Sequence, residues 1–340
     1  MTLCSAFSGR VAAILVMAAS LLAGPAQAAG EPLVVYTARK YQLVDELFQE
    51  YGRERGIEVK SVTDDGAPLI QRLTAEGANS PADLFITVDA GDLWRATQAG
   101  LLQPVKSEML EAAIPAHLRD PEGHWFGLAV RARTIAYSTA RVKPSDLSTY
   151  AALGDPRWKA KLCLRTGKAV YNQSLVAMFI NDMGEEATER MVRAWIGNLA
   201  AEPFSNDTLM LKAIAAGQCD VGITNSYYLG RLQNEQKDFP VQIFWADQAG
   251  KGTHVNISGG GVTKHARNRA EAIRFLEWLA SPAIQQRFAA VNFEFPANAG
   301  VDPLPEVKAW GPFKPNTVNV GLIGKTQPAA VMLIDRAGWR

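Results

Sequence analysis

The stretch LVVYTARKYQLVDELFQEYGRERGIEVKSV, residues 33–62, decides the fold. Leu33-Val34-Val35-Tyr36 is a short apolar run that reads as a buried strand. Leu43, Val44, Leu47, Phe48 and Tyr51 then recur on one helix face until Gly56, and Ile57 to Val62 alternates like a second strand. Strand, helix and strand in succession make the unit of a parallel sheet with a crossover helix.

Moving towards the C-terminus, the rhythm continues in Pro68 to Gly77 (helix), Ala82 to Val88 (strand) and Gly91 to Gly100 (helix). From Trp125 to Ser138 the pattern is strand-like with no helix intervening, and a second α/β series follows. It takes in Lys161 to Arg165, a helix over Ser174 to Met183, a helix over Leu209 to Ala216 ended by Gly217, the strand Cys219 to Thr224 and a helix opening near Ser226. Thr253 to Val262, with Gly259-Gly260-Gly261 inside it, predicts a strand crossing between the two series. Helices follow over Ala270 to Ala280 and Pro282 to Ala290, with Ser281 at the N-cap position and Pro282 at the first helical position. The pattern is that of two α/β lobes joined by strands, with a cleft that closes by hinge motion.

Moving towards the N-terminus, Arg10 precedes the apolar run Val11 to Gly24, which ends in Pro25-Ala26-Gln27-Ala28. This is the pattern of a secretory signal peptide over residues 1–28, cleaved near Ala28. Cys4 lies upstream of the apolar run and cannot carry a lipoprotein's lipid, so no stable membrane anchor is expected. The chain has 340 residues, with 35 Lys and Arg against 34 Asp and Glu, and the signal segment contains only one charge, Arg10. With no basic surplus, a nucleic-acid partner is not expected. Cys163 and Cys219 remain as an even pair in an oxidising compartment, which predicts a disulfide.

The local signatures of catalysis are missing. No H-E-x-x-H, C-x-x-C or G-x-S-x-G occurs, and Gly321 to Thr326 (G-L-I-G-K-T) has Asn319 where the first glycine of a phosphate loop belongs. The four histidines, His117, His124, His254 and His265, have no metal-site spacing, and His124 and His254 are the pair expected nearer a cleft. The tyrosines carry more. Tyr41 follows the first strand, while Tyr227 and Tyr228 follow the strand Cys219 to Thr224 at the opening of a helix whose N-terminus favours negative charge. Phenolate oxygen is a hard donor, so converging tyrosines without cysteines suit ferric iron rather than zinc or copper(I).

In Val35-Tyr36-Thr37-Ala38-Arg39-Lys40-Tyr41, Ser80-Pro81-Ala82-Asp83, Asp89-Ala90-Gly91, Tyr171-Asn172-Gln173-Ser174-Leu175, Asn225-Ser226-Tyr227-Tyr228 and Asp335-Arg336-Ala337-Gly338-Trp339, the chain resembles the FbpA/FutA-type ferric-binding proteins. These are periplasmic solute-binding proteins of ABC importers, and the matching segments run through nearly the whole chain after residue 28. The resemblance implies a type II two-lobed periplasmic fold, with residues 29–129 plus about 254–304 in one lobe and 130–253 plus about 305–340 in the other. It implies iron ligation by Tyr41, Tyr137, Tyr227 and Tyr228, with Tyr36 in the core and Tyr171 lining the cleft without touching metal. The cargo would be Fe3+, with Fe2+ also open, accompanied by an anion such as carbonate if Tyr41 stays out. The partners would be ABC permease subunits in the inner membrane, and the carrier itself a monomer.

The chain departs from the pattern at Lys40, where many relatives have histidine. An ammonium has donors and no lone pair, so Lys40 is expected to balance charge rather than bind metal. Arg231, Arg131 and Arg133 are candidates for the same role. Two other readings stand beside this one, a same-fold binder of a small anion or organic solute and an exported hydrolase.

Overall fold

The computed structural model describes residues 31–340, so the signal segment expected over 1–28 lies outside the described residues. The first lobe's elements follow in the expected order: β1 (Leu33–Thr37), α1 (Asp45–Arg55), β2 (Val59–Thr63), α2 (Gly66–Glu76), β3 (Leu84–Thr87), α3 (Ala90–Gln98) and α4 (Glu108–Ala113). Then come β4 (Phe126–Ser138), β5 (Leu162–Cys163), α5 (Val170–Met183), α6 (Glu185–Gly197), α7 (Asp207–Ala215), β6 (Val221–Asn225), α8 (Ser226–Glu235) and β7 (Val241–Phe244). The chain ends with β8 (Val255–Val262), α9 (Arg269–Ala280), α10 (Pro282–Ala290), β9 (Phe295–Pro296), α11 (Pro305–Lys308) and α12 (Val320–Ala337). No helix among the described residues is long and apolar enough to cross a membrane.

The strands lie in the order β2-β1-β3-β8-β4-β6-β5, with β7 and β9 also paired to β4. β1 is parallel to β2 and β3, as the crossover helices require, and β8 returns antiparallel beside β3. β4 is buried along all its 13 residues, and it changes partner midway. Phe126 to Ala132 pairs with β8, ending at Ala132 opposite Val255, while Arg133 to Tyr137 pairs with β6, beginning at Arg133 opposite Asn225. One strand therefore belongs to both halves of the sheet. The glycines of β8 let it sit close between its neighbours, since a Cβ at Gly259 would lie 2.8 Å from the Phe126 carbonyl.

Three elements differ from the sequence pattern in ways that matter. The G-L-I-G-K-T segment is the opening of α12, and Asn319 caps it by accepting from the Gly321 N–H at 2.8 Å. Ser281 holds the N-cap position of α10, but its hydroxyl donates back to the Trp278 carbonyl at 2.7 Å because α9 ends one residue earlier. Helix α5 begins at Val170, a turn before the expected start at Ser174, and so takes Tyr171 into its first turn.

Cys163 at the end of β5 is bonded to Cys219 just ahead of β6, the adjacent parallel strand, with the two Cα atoms 5.9 Å apart. The bridge closes a loop of 56 residues, which in the chain-entropy account stabilises the fold by about 4 kcal/mol. Unreduced, denatured protein is expected to show no free thiol among these two, and reduction is expected to lower the denaturant midpoint. Two reactive thiols before reduction would contradict the bond.

Candidate metal centre

A cavity of about 590 Å³ opens between the two halves of the sheet. On one side it meets the residues after β1, where Arg39 is buried and Lys40 exposed, together with Asp65 and Glu294. The other side is built by α5, α8 and the Cys163 to Phe204 region, which bring in Tyr171, Tyr227, Tyr228, Arg165 and Arg231. Arg131, from the shared strand β4, closes the back.

β6 ends at Asn225 and α8 begins at Ser226, so Tyr227 and Tyr228 stand in the first turn of a helix whose free N–H groups favour anionic oxygen. Their rings lie 4.4 Å apart at 33°. Asn225 Nδ2 donates to the Tyr227 hydroxyl at 3.3 Å, and Arg165 donates to the Tyr228 hydroxyl at 3.4 Å. The Arg231 guanidinium covers both rings, at 5.2 and 5.7 Å from their centroids. Tyr171 meets them from α5, with Arg131 and Arg165 over its ring at 4.9 and 5.2 Å.

Two of the three phenols are held back from ionising. Burial first, then the neighbouring Tyr171 and Tyr228, push the Tyr227 phenol well above its ordinary range, with Arg131 opposing. Burial and then Tyr228 likewise raise Tyr171, against Arg131 and Arg165. Without a bound cation Tyr171 and Tyr227 are neutral, and a metal ion would supply the charge that makes them phenolates.

The arginines differ in how far their charge is already spent. Arg39 is paired with Glu294 at 2.8 Å, Arg131 with Asp89 at 3.3 Å and Arg165 with Asp207 at 2.8 Å. Lys40 and Arg231 have no carboxylate partner among the described residues, and Arg231 instead donates to the Asn292 side chain. Arg131 Nη1 and the Nε atoms of Arg39 and Arg165 are buried without a hydrogen-bond partner among the described residues. The cavity therefore carries surplus positive charge and unused donors.

Not every residue expected at the site is there. Tyr137 is absent from the cavity lining, because β4 pairs it with Val221 while Arg133 pairs with Asn225 at the cavity end of the sheet. Four residues of strand put it about 13 Å from that end. Its phenol is raised by burial alone, with no charged neighbour. Arg133 also lies below the cavity floor, donating to Asp207 at 2.8 Å, Asn172 at 2.9 Å and Asn225 at 3.0 Å, so its charge is consumed in holding the framework. His124 is bound to Asp120, and His254 is buried against Met178 with its pKa pushed down to about 3 by burial, Arg131 and Arg133. Neither histidine lines the cavity.

Tyr41 occupies the short 3₁₀ turn Tyr41–Leu43, between Lys40 and Leu43, which both line the cavity. Lys40, Arg131 and Arg231 line the cavity, as does Tyr171, which the sequence expects in the cleft, while Arg165 joins them without having been singled out in the sequence. Among the described residues no cluster of three or more His, Cys, Asp or Glu could hold a metal.

Two α/β halves sharing a strand and enclosing a polar cavity make a two-lobed solute-binding protein. The family of bacterial extracellular solute-binding proteins matches residues 79–317. The chain belongs to that family, within its FbpA/FutA type. It is 44% identical over 323 residues to iron uptake protein A2 of Synechocystis sp., covering 93% of this chain and 92% of the relative. Iron uptake protein A1 of the same organism is 41% identical over 312 residues, covering 90% and 87%. The solved structure of FutA (IdiA) from Trichodesmium, in complex with iron and citrate, superposes with a TM-score of 0.87 at 44% identity, covering 91% of this chain and all of that one.

Proposed function

We propose that the protein captures ferric iron in the cleft through the phenolates of Tyr41, Tyr171, Tyr227 and Tyr228 and delivers it, as a monomer in the periplasm, to the permease subunits of an ABC importer. The observation that carries the reading is the meeting of Tyr171, Tyr227 and Tyr228 in one cavity walled by arginines. Hard phenolate oxygens suit Fe3+ better than Fe2+. The iron-bound Trichodesmium relative and the two iron uptake relatives support the same cargo.

The lobes proposed are 29–129 with about 254–304 and 130–253 with about 305–340. The change of partner between Ala132 and Arg133, and the start of β8 at Val255, support that division. No enzymatic step is required of this site. Fe3+ with three phenolates is neutral, and with four it carries one negative charge. Lys40 and Arg231 then face either that charge or an oxyanion such as carbonate that completes the coordination, for which the unused donors of Arg131 and Arg165 are suited.

Incubation of the purified protein with ferric citrate tests the reading. A phenolate-to-iron charge-transfer colour is expected, and folded protein that stays colourless would overturn it. In the same assay Lys40→Gln should keep the colour and weaken binding by about fivefold or less, the scale of an exposed charge. Lys40→His, which adds a lone pair, should move the band.

A further inference from the structure

Behind the cavity wall, and outside its lining, Asp89 is fully buried at the N-cap of α3. Capping needs only the Gly91 N–H, which it accepts at 2.8 Å. Yet four more groups from four elements converge on its carboxylate. Ser174 of α5 donates to both oxygens at 3.0 and 2.8 Å, Asn256 of β8 at 2.9 Å, Arg131 of β4 at 3.3 Å and Gln327 of α12 at 3.4 Å. Every neighbour is a donor, so only the ionised carboxylate, an acceptor at both oxygens, satisfies them all.

Two of these contacts lead to one tyrosine. Ser174 lies three residues after Tyr171, on the same face of α5, and Arg131 lies over the Tyr171 ring at 4.9 Å. We propose that Asp89 is a positioning residue for the metal site, fixing Tyr171 from two sides by anchoring the first turn of α5 through Ser174 and by holding the Arg131 guanidinium against the ring. The inference rests on the iron reading above and extends it to a residue that touches neither cavity nor cargo.

The anchor itself is rigid. α3 and α12 cross where Gly324 packs against Trp94 and the Gly91 backbone, too closely to admit a Cβ at Gly324. Asp89, one residue before α3 and two before Gly91, sits beside that tight crossing, and an acceptor fixed there can orient the groups that bond to it.

A double-mutant cycle tests this. Asp89→Asn and Ser174→Ala are made alone and together with Tyr171→Phe, and each protein is read by chelator competition and by the position of the charge-transfer band. Each single variant is expected to bind ferric iron about tenfold or more weakly, the usual effect of losing a group that orients a ligand, with a shifted band. Neither should cause further loss in the Tyr171→Phe background, because its route to the metal is already gone. Full affinity with an unmoved band in both singles, or losses that simply add to that of Tyr171→Phe, would overturn the proposal. If Asp89→Asn fails to fold, Ser174→Ala removes one hydroxyl with no change of charge and decides by the same cycle. Wild-type protein without any band on ferric citrate would overturn the iron reading and this inference together, whereas a normal wild-type band with additive losses overturns this inference alone.

Discussion

Tyr227→Phe and Tyr228→Phe each lower the affinity for ferric iron by about a hundredfold or more, beyond the range expected for groups that merely orient a ligand. Each substitution keeps the ring, and with it the 4.4 Å stacking and the Arg231 contact, and deletes only the oxygen. The hydrogen bonds lost, from Asn225 at 3.3 Å and Arg165 at 3.4 Å, are long, so the fold should lose no more than about 1 kcal/mol. Chelator competition beside thermal denaturation separates the two effects. Tyr171→Phe should fall with this pair, and Tyr137→Phe should behave as wild type. Unchanged iron affinity in Tyr227→Phe and Tyr228→Phe would remove the phenolates from the site, and a loss in Tyr137→Phe would contradict its placement at the far end of β4.

The second large effect is acid release. In the metal-free protein burial and mutual repulsion hold Tyr171 and Tyr227 above the ordinary phenol range, so they are protonated at every physiological pH. Binding iron must therefore expel a proton from each phenol that becomes a ligand. Affinity rises with pH and falls as pH drops, by about one decade per pH unit for each such phenol while the free form stays protonated. With three or four phenolates the dependence is steep, and iron release should begin on the acidic side of neutrality. Titrating the charge-transfer absorbance against pH in the presence of a chelator measures it, and retention of iron into strong acid would be incompatible with phenolate ligation.

The parts legible in the sequence were those encoded over short distances. Leu33 to Tyr36 and the helical spacing of Leu43 to Tyr51 read directly as β1 and α1, because apolar periodicity is a local property. Tyr227 and Tyr228 were legible because a strand running into a helix places its junction at a ligand site. Tyr171 is expected in the cleft from its motif, but its place at the start of α5 is not legible, for an equally local reason. The apolar run from Leu175 to Phe179 dominates the pattern of α5 and hides a first turn made of Val170, Tyr171, Asn172 and Gln173.

Tyr137 is the converse case, expected at the site yet absent from the cavity lining. Its strand was read correctly, but its distance from the cavity depends on a register with Val221, more than eighty residues away, which no periodicity reveals. The same limit hides how Arg133 and Arg165 are paired, since their shared partner Asp207 becomes their neighbour only when α7 packs beside them. Asp89 looks in sequence like an ordinary helix cap.

The sharing of β4 has a consequence for how the molecule comes apart. Ala132 and Arg133 are joined by one peptide bond, yet Ala132 lies opposite Val255 of β8 and Arg133 opposite Asn225 of β6, with the Arg133 N–H still bonded to the His254 carbonyl just ahead of β8 at 3.0 Å. A turn of the backbone at that junction strains the single Arg133 to His254 bond and leaves the rest of both ladders paired, whereas melting one half frays the strand that the other half needs at its centre. The two halves that close on cargo are therefore expected to lose their structure in a single cooperative step when heated, and two separate thermal transitions would contradict this.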